Sequence, residues 1–370
     1  MACAPWIMAL TIARFFGDIA SCWCHGYTMT NRARGCLLGL AVGDALGTTY
    51  EFQRISQPPY PTLATAPATD VVGKGPFNLQ AGQITDDTQL AICLARSLAE
   101  RGRFDLDDAA GRYVAWSREA FDIGSQTGAS LSRIEDGEPV LQASFAVWRG
   151  TDRRAAGNGS LMRTGPLAVA LRVTPGALVE AALLESMITH ADPRCALACA
   201  VFDRAIAAAI TDGLEGRGMV DVARDALAPA AARMHALWRD NLDVDHDDAV
   251  AIERARLDLA SDLDAALASE PGVYTDALHL DRTAGFVRVA FRLACWHAVH
   301  TAGWREAVVD VASRGGDADT NAAIVGAFLG ARDGDAAIPA MWIERVLGAR
   351  QPGSAAWADA HHPRHLLALL

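Results

Sequence analysis

Gly315-Gly316-Asp317-Ala318-Asp319-Thr320-Asn321-Ala322-Ala323-Ile324-Val325-Gly326-Ala327-Phe328-Leu329-Gly330-Ala331-Arg332 carries the two signals that decide the class of fold. Ile324, Val325, Phe328 and Leu329 recur at three- and four-residue spacing, which makes the buried stripe of a helix, and Gly326 and Gly330 let a neighbour approach closely. Two aspartates and a threonine stand at the start of that helix, behind a pair of glycines. Alanine-rich segments with the same apolar spacing recur from Arg32 to the C-terminus, and alternating β-branched stretches are nearly absent. The expected fold is therefore all-α, a compact single-domain orthogonal helical bundle. Helices are predicted over 33–46, 88–100, 107–118, 166–171, 176–188, 193–211, 220–240, 248–268, 284–300, 304–312 and 321–332.

The 370 residues, 51% of them hydrophobic, supply ample material for a core. A net charge of −11 argues against sequence-independent binding to nucleic acid, which needs a basic surface to displace counterions. No run of eighteen uncharged apolar residues occurs, so no membrane span is expected. Eight scattered cysteines read as reduced thiols of a cytoplasmic protein. Residues 1–28 are expected to be a poorly ordered extension, dispensable for chemistry, and 351–370 a C-terminal tail; zinc at Cys22, Cys24 and His25 would lack a fourth local ligand. Between 52 and 83, Pro58, Pro59, Pro61, Pro67, Gly73, Gly75 and Pro76 break all periodicity, and a long loop or flap is predicted. The acidic cluster Asp243, Asp245, Asp247, Asp248 lacks the glycine and terminal glutamate of a calcium loop and reads as a solvated turn, with Asp247 or Asp248 capping the next helix.

The chemistry of the opening stretch occurs a second time. Gly82-Gln83-Ile84-Thr85-Asp86-Asp87-Thr88 precedes the apolar positions Leu90, Ala91, Leu94 and Leu98, again a glycine approach, two aspartates, a threonine and a helix. Helix capping accounts for one such side chain, not four in succession. Gathering Asp86, Asp87, Asp317 and Asp319 at one point would be strongly repulsive without cations, and an all-oxygen ligand set suits hard divalent ions. Gly39-Leu40-Ala41-Val42-Gly43-Asp44-Ala45-Leu46-Gly47 is a small-residue helix with a flat glycine face, ending near Glu51. Gly157-Asn158-Gly159-Ser160-Leu161-Met162-Arg163 reads either as a plain turn or as an anion-binding nest of backbone N–H groups. His190, between two helices, either meets a ligand or satisfies a helix end; Asp122, in Phe121-Asp122-Ile123-Gly124, reads locally as a cap.

These motifs, in this order, resemble the ADP-ribosylglycohydrolase family over roughly residues 32–347; Arg34-Gly35-Cys36-Leu37-Leu38-Gly39, Thr189-His190 and Ile338-Pro339-x-x-Trp342 extend the match. The resemblance implies an all-α enzyme with two divalent cations, Mg²⁺ or Mn²⁺. It implies Thr85, Asp86, Asp87, Asp317, Asp319 and Thr320 as metal ligands and Glu51 as an acid facing the metals. Gly157, Asn158, Gly159, Ser160 and His190 are implied as diphosphate and ribose contacts. Phe121-Asp122-Ile123-Gly124 is similar to the loop of the arginine-directed bacterial branch, where the Asp faces the substrate ribose, so Gly124 joins the substrate side and Asp122 or Glu51 is the general base. The implied substrate is an ADP-ribosylated protein, most simply arginine-linked, and the product ADP-ribose. Serine-linked adducts, a non-catalytic relative and a metal-dependent phosphohydrolase are the alternatives. Ile84 departs from the bulky polar or aromatic residues common there, and 213–272 does not align securely.

Overall fold

A computed structural model describes residues 30–55, 57–59 and 68–370, so the expectations for 1–28, including the cysteine–histidine trio, lie outside the described residues. A helix over 30–47 (α1) is followed by α2 (Asp86–Arg101), α3 (Leu106–Ser117), α4 (Ser125–Glu135), α5 (Val140–Gly150), α6 (Gly165–Ala170), α7 (Pro175–Ser186), α8 (Pro193–Asp212) and α9 (Arg217–Asn241). Then come α10 (His246–Ala265), α11 (Val287–His300), α12 (Trp304–Ser313), α13 (Ala318–Asp333), α14 (Ala340–Gly348) and α15 (Ala355–Ala360). Among the described residues no sheet forms; three isolated β-bridges occur in loops. The long interruption between α1 and α2 contains no helix among its described residues, as the Pro and Gly pattern predicts.

The centre of the bundle is α8, apolar on nearly every face, packed against α6, α7, α9, α10, α11 and α13. Phe202 of α8 stacks on Phe328 of α13 with ring centroids 4.8 Å apart. Cys36, Cys93, Cys195, Cys199 and Cys295 are buried free thiols, packing as small apolar groups.

The decisive packing for the site is α1 against α13. Cβ atoms built on Gly35, Gly39, Gly43 and Gly47 would fall 2.3, 2.1, 2.1 and 2.4 Å from the carbonyl oxygens of Gly330, Gly326, Ala322 and Ala318. The two helices therefore run antiparallel in backbone contact, stepping together by four residues. The indole Nε1 of Trp304 donates to the Gly326 carbonyl at 2.8 Å and closes one edge of this seam.

Several expectations change. Residues 351–370 are not a tail: α15 and the 3₁₀ turn Pro363–Leu369 close the bundle over α2, with Leu366 fully buried and the Gln351 side chain accepting from the Ile84 N–H. Four helices, α4, α5, α14 and α15, were not predicted. The helix expected over 284–300 begins at Val287, leaving Ala284 and Gly285 in a loop. In the acidic cluster, Asp245 is the cap and Asp248 completes a capping box while pairing with Arg149 and Arg153. The carboxylates of Asp245 and Asp248 are thereby engaged with arginines and backbone, which argues against the calcium-loop alternative.

Gly43→Ala places a methyl against the Ala322 carbonyl and is expected to cost about 1–3 kcal/mol of unfolding free energy. Gly111→Ala, in α3 with open space around the new methyl, is expected to add roughly 0.5–1 kcal/mol. Denaturant unfolding of the two variants beside the parent checks both signs.

Candidate metal centre and substrate cleft

Neither acid-bearing helix caps itself. At α2, Thr85 holds the N-cap position without a side-chain cap bond, and the carboxylate of Asp44 arrives from α1 instead. Asp44 accepts from the Thr85 and Thr88 N–H groups at 3.1 and 3.2 Å and from both threonine hydroxyls. At α13, Asp317 holds the N-cap position, again without a cap bond, and Glu51 Oε2 accepts from the Ala318 and Asp319 N–H groups at 2.6 and 3.2 Å. An anion at each N-terminus satisfies orphan donors and suits the helix dipole. Because two carboxylates from α1 and its end take most of these donors, Asp86, Asp87 and Asp317 cap neither helix, and Asp319 accepts only the adjacent Thr320 N–H, at 2.7 Å.

Glu51, Asp86, Asp122, Gly124, Gly157, Asn158, Gly159, His190, Asp317, Asp319 and Thr320 all line one cleft of about 430 Å³. Carboxylate oxygens of Glu51, Asp317 and Asp319 lie within 4.8 Å of one another. Thr85 and Asp87 are fully buried and do not line the cleft; the Thr85 hydroxyl sits between Asp44 and Asp87, at 2.8 and 3.0 Å. The other Asp87 oxygen, Oδ1, is buried without a partner. Asp122 is no cap, since Gly124 holds the N-cap position of α4 and no side-chain cap bond forms there.

The glycine turn is partly tied into the fold. Two of its N–H groups are already engaged, Gly157 with Gln126 Oε1 at 3.2 Å and Asn158 with the Gly285 carbonyl at 2.9 Å. Glycine is required there because the His190 ring lies against the backbone: a Cβ on Gly159 would fall 2.8 Å from Cε1, and one on Gly157 3.1 Å from Nε2. Asn158 Nδ2 donates to Asp317 Oδ2 at 2.7 Å and so orients that carboxylate. Ser160 does not reach the cleft; it is fully buried and hydrogen-bonded to Ser186.

The electrostatics follow from this convergence. Burial, then the charge of Asp317, pushes Glu51 up to about 9. Burial, then the charges of Asp44 and Asp317, pushes Asp122 up to about 6, and burial pushes Asp44 up to about 6 against four hydrogen bonds that lower it. Asp86, Asp87 and Asp319 are held well above the usual carboxylate range by burial first and by a neighbouring carboxylate second, Asp122 for Asp86, Asp319 for Asp87 and Glu51 for Asp319, and burial also raises Asp317. Two unit charges 4.8 Å apart repel by roughly 3 kcal/mol at an effective dielectric near 20. Several such pairs approach the whole stability of a domain, so protons or cations must neutralise the cluster. An orphaned buried carboxylate oxygen and a donor set made only of oxygens fit a hard divalent cation.

Local sequence pointed to neither Asp44 as a cap nor Gln126, Ala284 and Gly285 as cleft-forming residues. A lone carboxylate inside the buried pattern of α1 was the available signal for Asp44, because a buried charge requires partners. Arg163, quoted within the glycine motif without a role, is wholly buried in an ion pair with Glu185 at 2.7 Å.

The ADP-ribosylglycohydrolase family model matches residues 26–366. Two curated relatives are an ADP-ribosylarginine hydrolase, Tri1, of Pseudomonas putida, 30% identical over 85% of this chain and 74% of its own, and the ADP-ribosyl-[dinitrogen reductase] glycohydrolase of Rhodospirillum rubrum, 27% identical over 87% and 92%. A solved ADP-ribosylglycohydrolase-related protein complex superposes with a TM-score of 0.63 at 26% identity, covering 93% of this chain and 98% of that one.

For metal-free protein the sign of the pH dependence is fixed. Carboxyls raised in the folded state bind protons there more tightly than in the unfolded chain, so their stabilising contribution is complete below about 4 and is lost as pH rises through 6 toward 9. The rise in melting temperature on adding Mg²⁺ or Mn²⁺ is therefore expected to grow from pH 5 to pH 9. Thermal scans with and without cation across that range test this, and a shift independent of pH contradicts it.

Proposed function

This chain belongs to the ADP-ribosylglycohydrolase family, and on that premise we propose that it hydrolyses the N-glycosidic bond between ADP-ribose and an arginine side chain, using a pair of Mg²⁺ or Mn²⁺ ions. The observation that carries the proposal is the convergence on one cleft of Glu51, Asp86, Asp317 and Asp319 with Asp122 and His190. Those four acids, with Asp87 behind them, would hold the cations. Bound there, the ions supply Lewis acidity, which orients vicinal ribose hydroxyls and makes water a stronger acid.

The chain's own groups divide the remaining work. Asp122 is the general base: its carboxyl lines the cleft, and burial, the first cause of its raised value, makes it a stronger proton acceptor than an exposed carboxylate. Glu51 is less suited to that step, since its oxygen already accepts from two backbone N–H groups at the start of α13. As water adds to the anomeric carbon and the bond to nitrogen breaks, the guanidine leaves with a proton and free ADP-ribose remains.

Arginine as the leaving side is supported by the rim. Phe52 follows Glu51 in the chain and is 60% exposed; its ring meets Phe77 edge-on at 6.2 Å, and Phe77 meets Phe121, next to Asp122, at 5.8 Å. A planar cation is well matched to aromatic faces beside an acidic floor. The names of the Pseudomonas relative and of a similar Serratia proteamaculans protein, both ADP-ribosylarginine hydrolases, agree.

The test is a competition between arginine-linked and serine-linked ADP-ribosyl peptides, following released ADP-ribose by mass spectrometry. The arginine adduct is expected to show the higher kcat/KM, chelation to abolish release, and Asp122→Asn to lower kcat by on the order of 10²–10⁴. An equal or higher kcat/KM on the serine adduct would refute the arginine assignment. Wild-type turnover in Asp122→Asn would remove Asp122 as base.

A further inference from the structure

We propose that Arg163, acting through Thr189, fixes His190 as its neutral Nε2–H tautomer, so that the ring offers the cleft a hydrogen-bond donor and no charge. The residues form a buried chain. Tyr113 donates its hydroxyl to Glu185 Oε1 at 2.7 Å, and Arg163 Nε donates to the same oxygen at 2.7 Å. Arg163 Nη2 then donates to Thr189 Oγ1 at 2.8 Å, and Thr189 Oγ1 stands 2.7 Å from His190 Nδ1. Arg163, Glu185 and Thr189 are wholly buried, and His190 nearly so.

Proton counting along the chain sets the tautomer. Arginine has only donors, so the Thr189 hydroxyl must accept from it. Nδ1 is then the acceptor in place for the single hydroxyl proton, and a Thr189 O–H aimed elsewhere would be a buried donor left unsatisfied. Nδ1 accepts, which leaves the ring proton on Nε2, over Gly157 and Gly159 in the cleft lining. Burial and the nearby Arg163 charge independently disfavour the imidazolium. Arg163 also donates to the Gly159 carbonyl at 3.1 Å, so one guanidinium holds both the ring's hydrogen-bond partner and the turn beneath the ring. Arg163 and Thr189 are thus positioning residues, and His190 a fixed donor to a substrate oxygen.

The tautomer itself does not depend on the substrate; only the kinetic part of the test rests on the glycohydrolase reading. Nitrogen NMR of the full chain with ¹⁵N-labelled histidine should show His190 with an unprotonated, pyridine-type Nδ1 and a protonated Nε2, unchanged from pH 6 to 8. Thr189→Val should release this pattern toward tautomer exchange and raise KM for the ADP-ribosyl peptide by roughly tenfold, about one hydrogen bond, with kcat within about twofold. Thr189→Ser should restore both. A protonated Nδ1 in the wild type would overturn the proposal, and so would a Thr189→Val spectrum identical to the parent's. If Thr189→Val does not fold, the wild-type and Thr189→Ser spectra alone decide. Loss of the spectral pattern without a change in KM would leave the tautomer standing and refute the donor role.

Discussion

Carboxylates delivered from α1 and the turn that follows it cap the two helices that carry the paired aspartates, and the rest of the site depends on this. Asp44 terminates α2 and Glu51 terminates α13, each accepting from two backbone N–H groups. In an ordinary helix the aspartates of the first turn would perform this task. Here Asp86 and Asp317 cap neither helix and Asp319 holds only the adjacent Thr320 N–H, and all three face the same cleft. The arrangement holds only because α1 lies in backbone contact with α13, and that contact exists because glycine recurs every fourth residue on α1 opposite Gly330, Gly326, Ala322 and Ala318. Gly47 lies against Ala318 and Asp319, so the chain leaving α1 reaches the start of α13 within four residues, where Glu51 is needed.

The same device concentrates negative charge that the fold cannot carry unaided. Burial raises all seven acids of the cluster, and mutual repulsion adds to it for most of them. A cluster of this kind is a poor structural element and a good cation site, since a cation removes the repulsion without disturbing either cap. Elsewhere in the cleft lining, Gly157, Gly159 and His190 bring no negative charge. Burial and the Arg163 charge disfavour the His190 imidazolium, and Arg163 itself, fully buried, is paired with Glu185. An acidic floor meets a neutral donor wall, which suits a ligand whose sugar hydroxyls face metal and whose remaining oxygens seek hydrogen bonds.

The sequence made the architecture largely legible. Helical periodicity marked α8 and α13 because their apolar residues are many and regularly spaced, and the twin Gly–Asp–Thr motifs marked both halves of the acidic site. α4, rich in Ser, Thr and Gly, has too few apolar residues to show a stripe, and α5 begins directly after Pro139, where the local signals read as loop. What the sequence could not show is direction in space. Glu51 looks like any solvated acid after a helix until the packing of α1 on α13 buries it. Gly157 and Gly159 read as turn residues, and only the structure shows the His190 ring occupying the space their side chains would need. Ser160 reads as part of that motif yet points into the core, and the last twenty residues read as a tail although they close the bundle over α2.

Anomalous diffraction from crystals grown with Mn²⁺ tests the central claim most directly. Manganese is expected bounded by Glu51, Asp86, Asp317 and Asp319, with Asp44 still bonded to the start of α2 and Glu51 within reach of the start of α13. Absence of anomalous density there, at Mn²⁺ concentrations that support turnover, would contradict it.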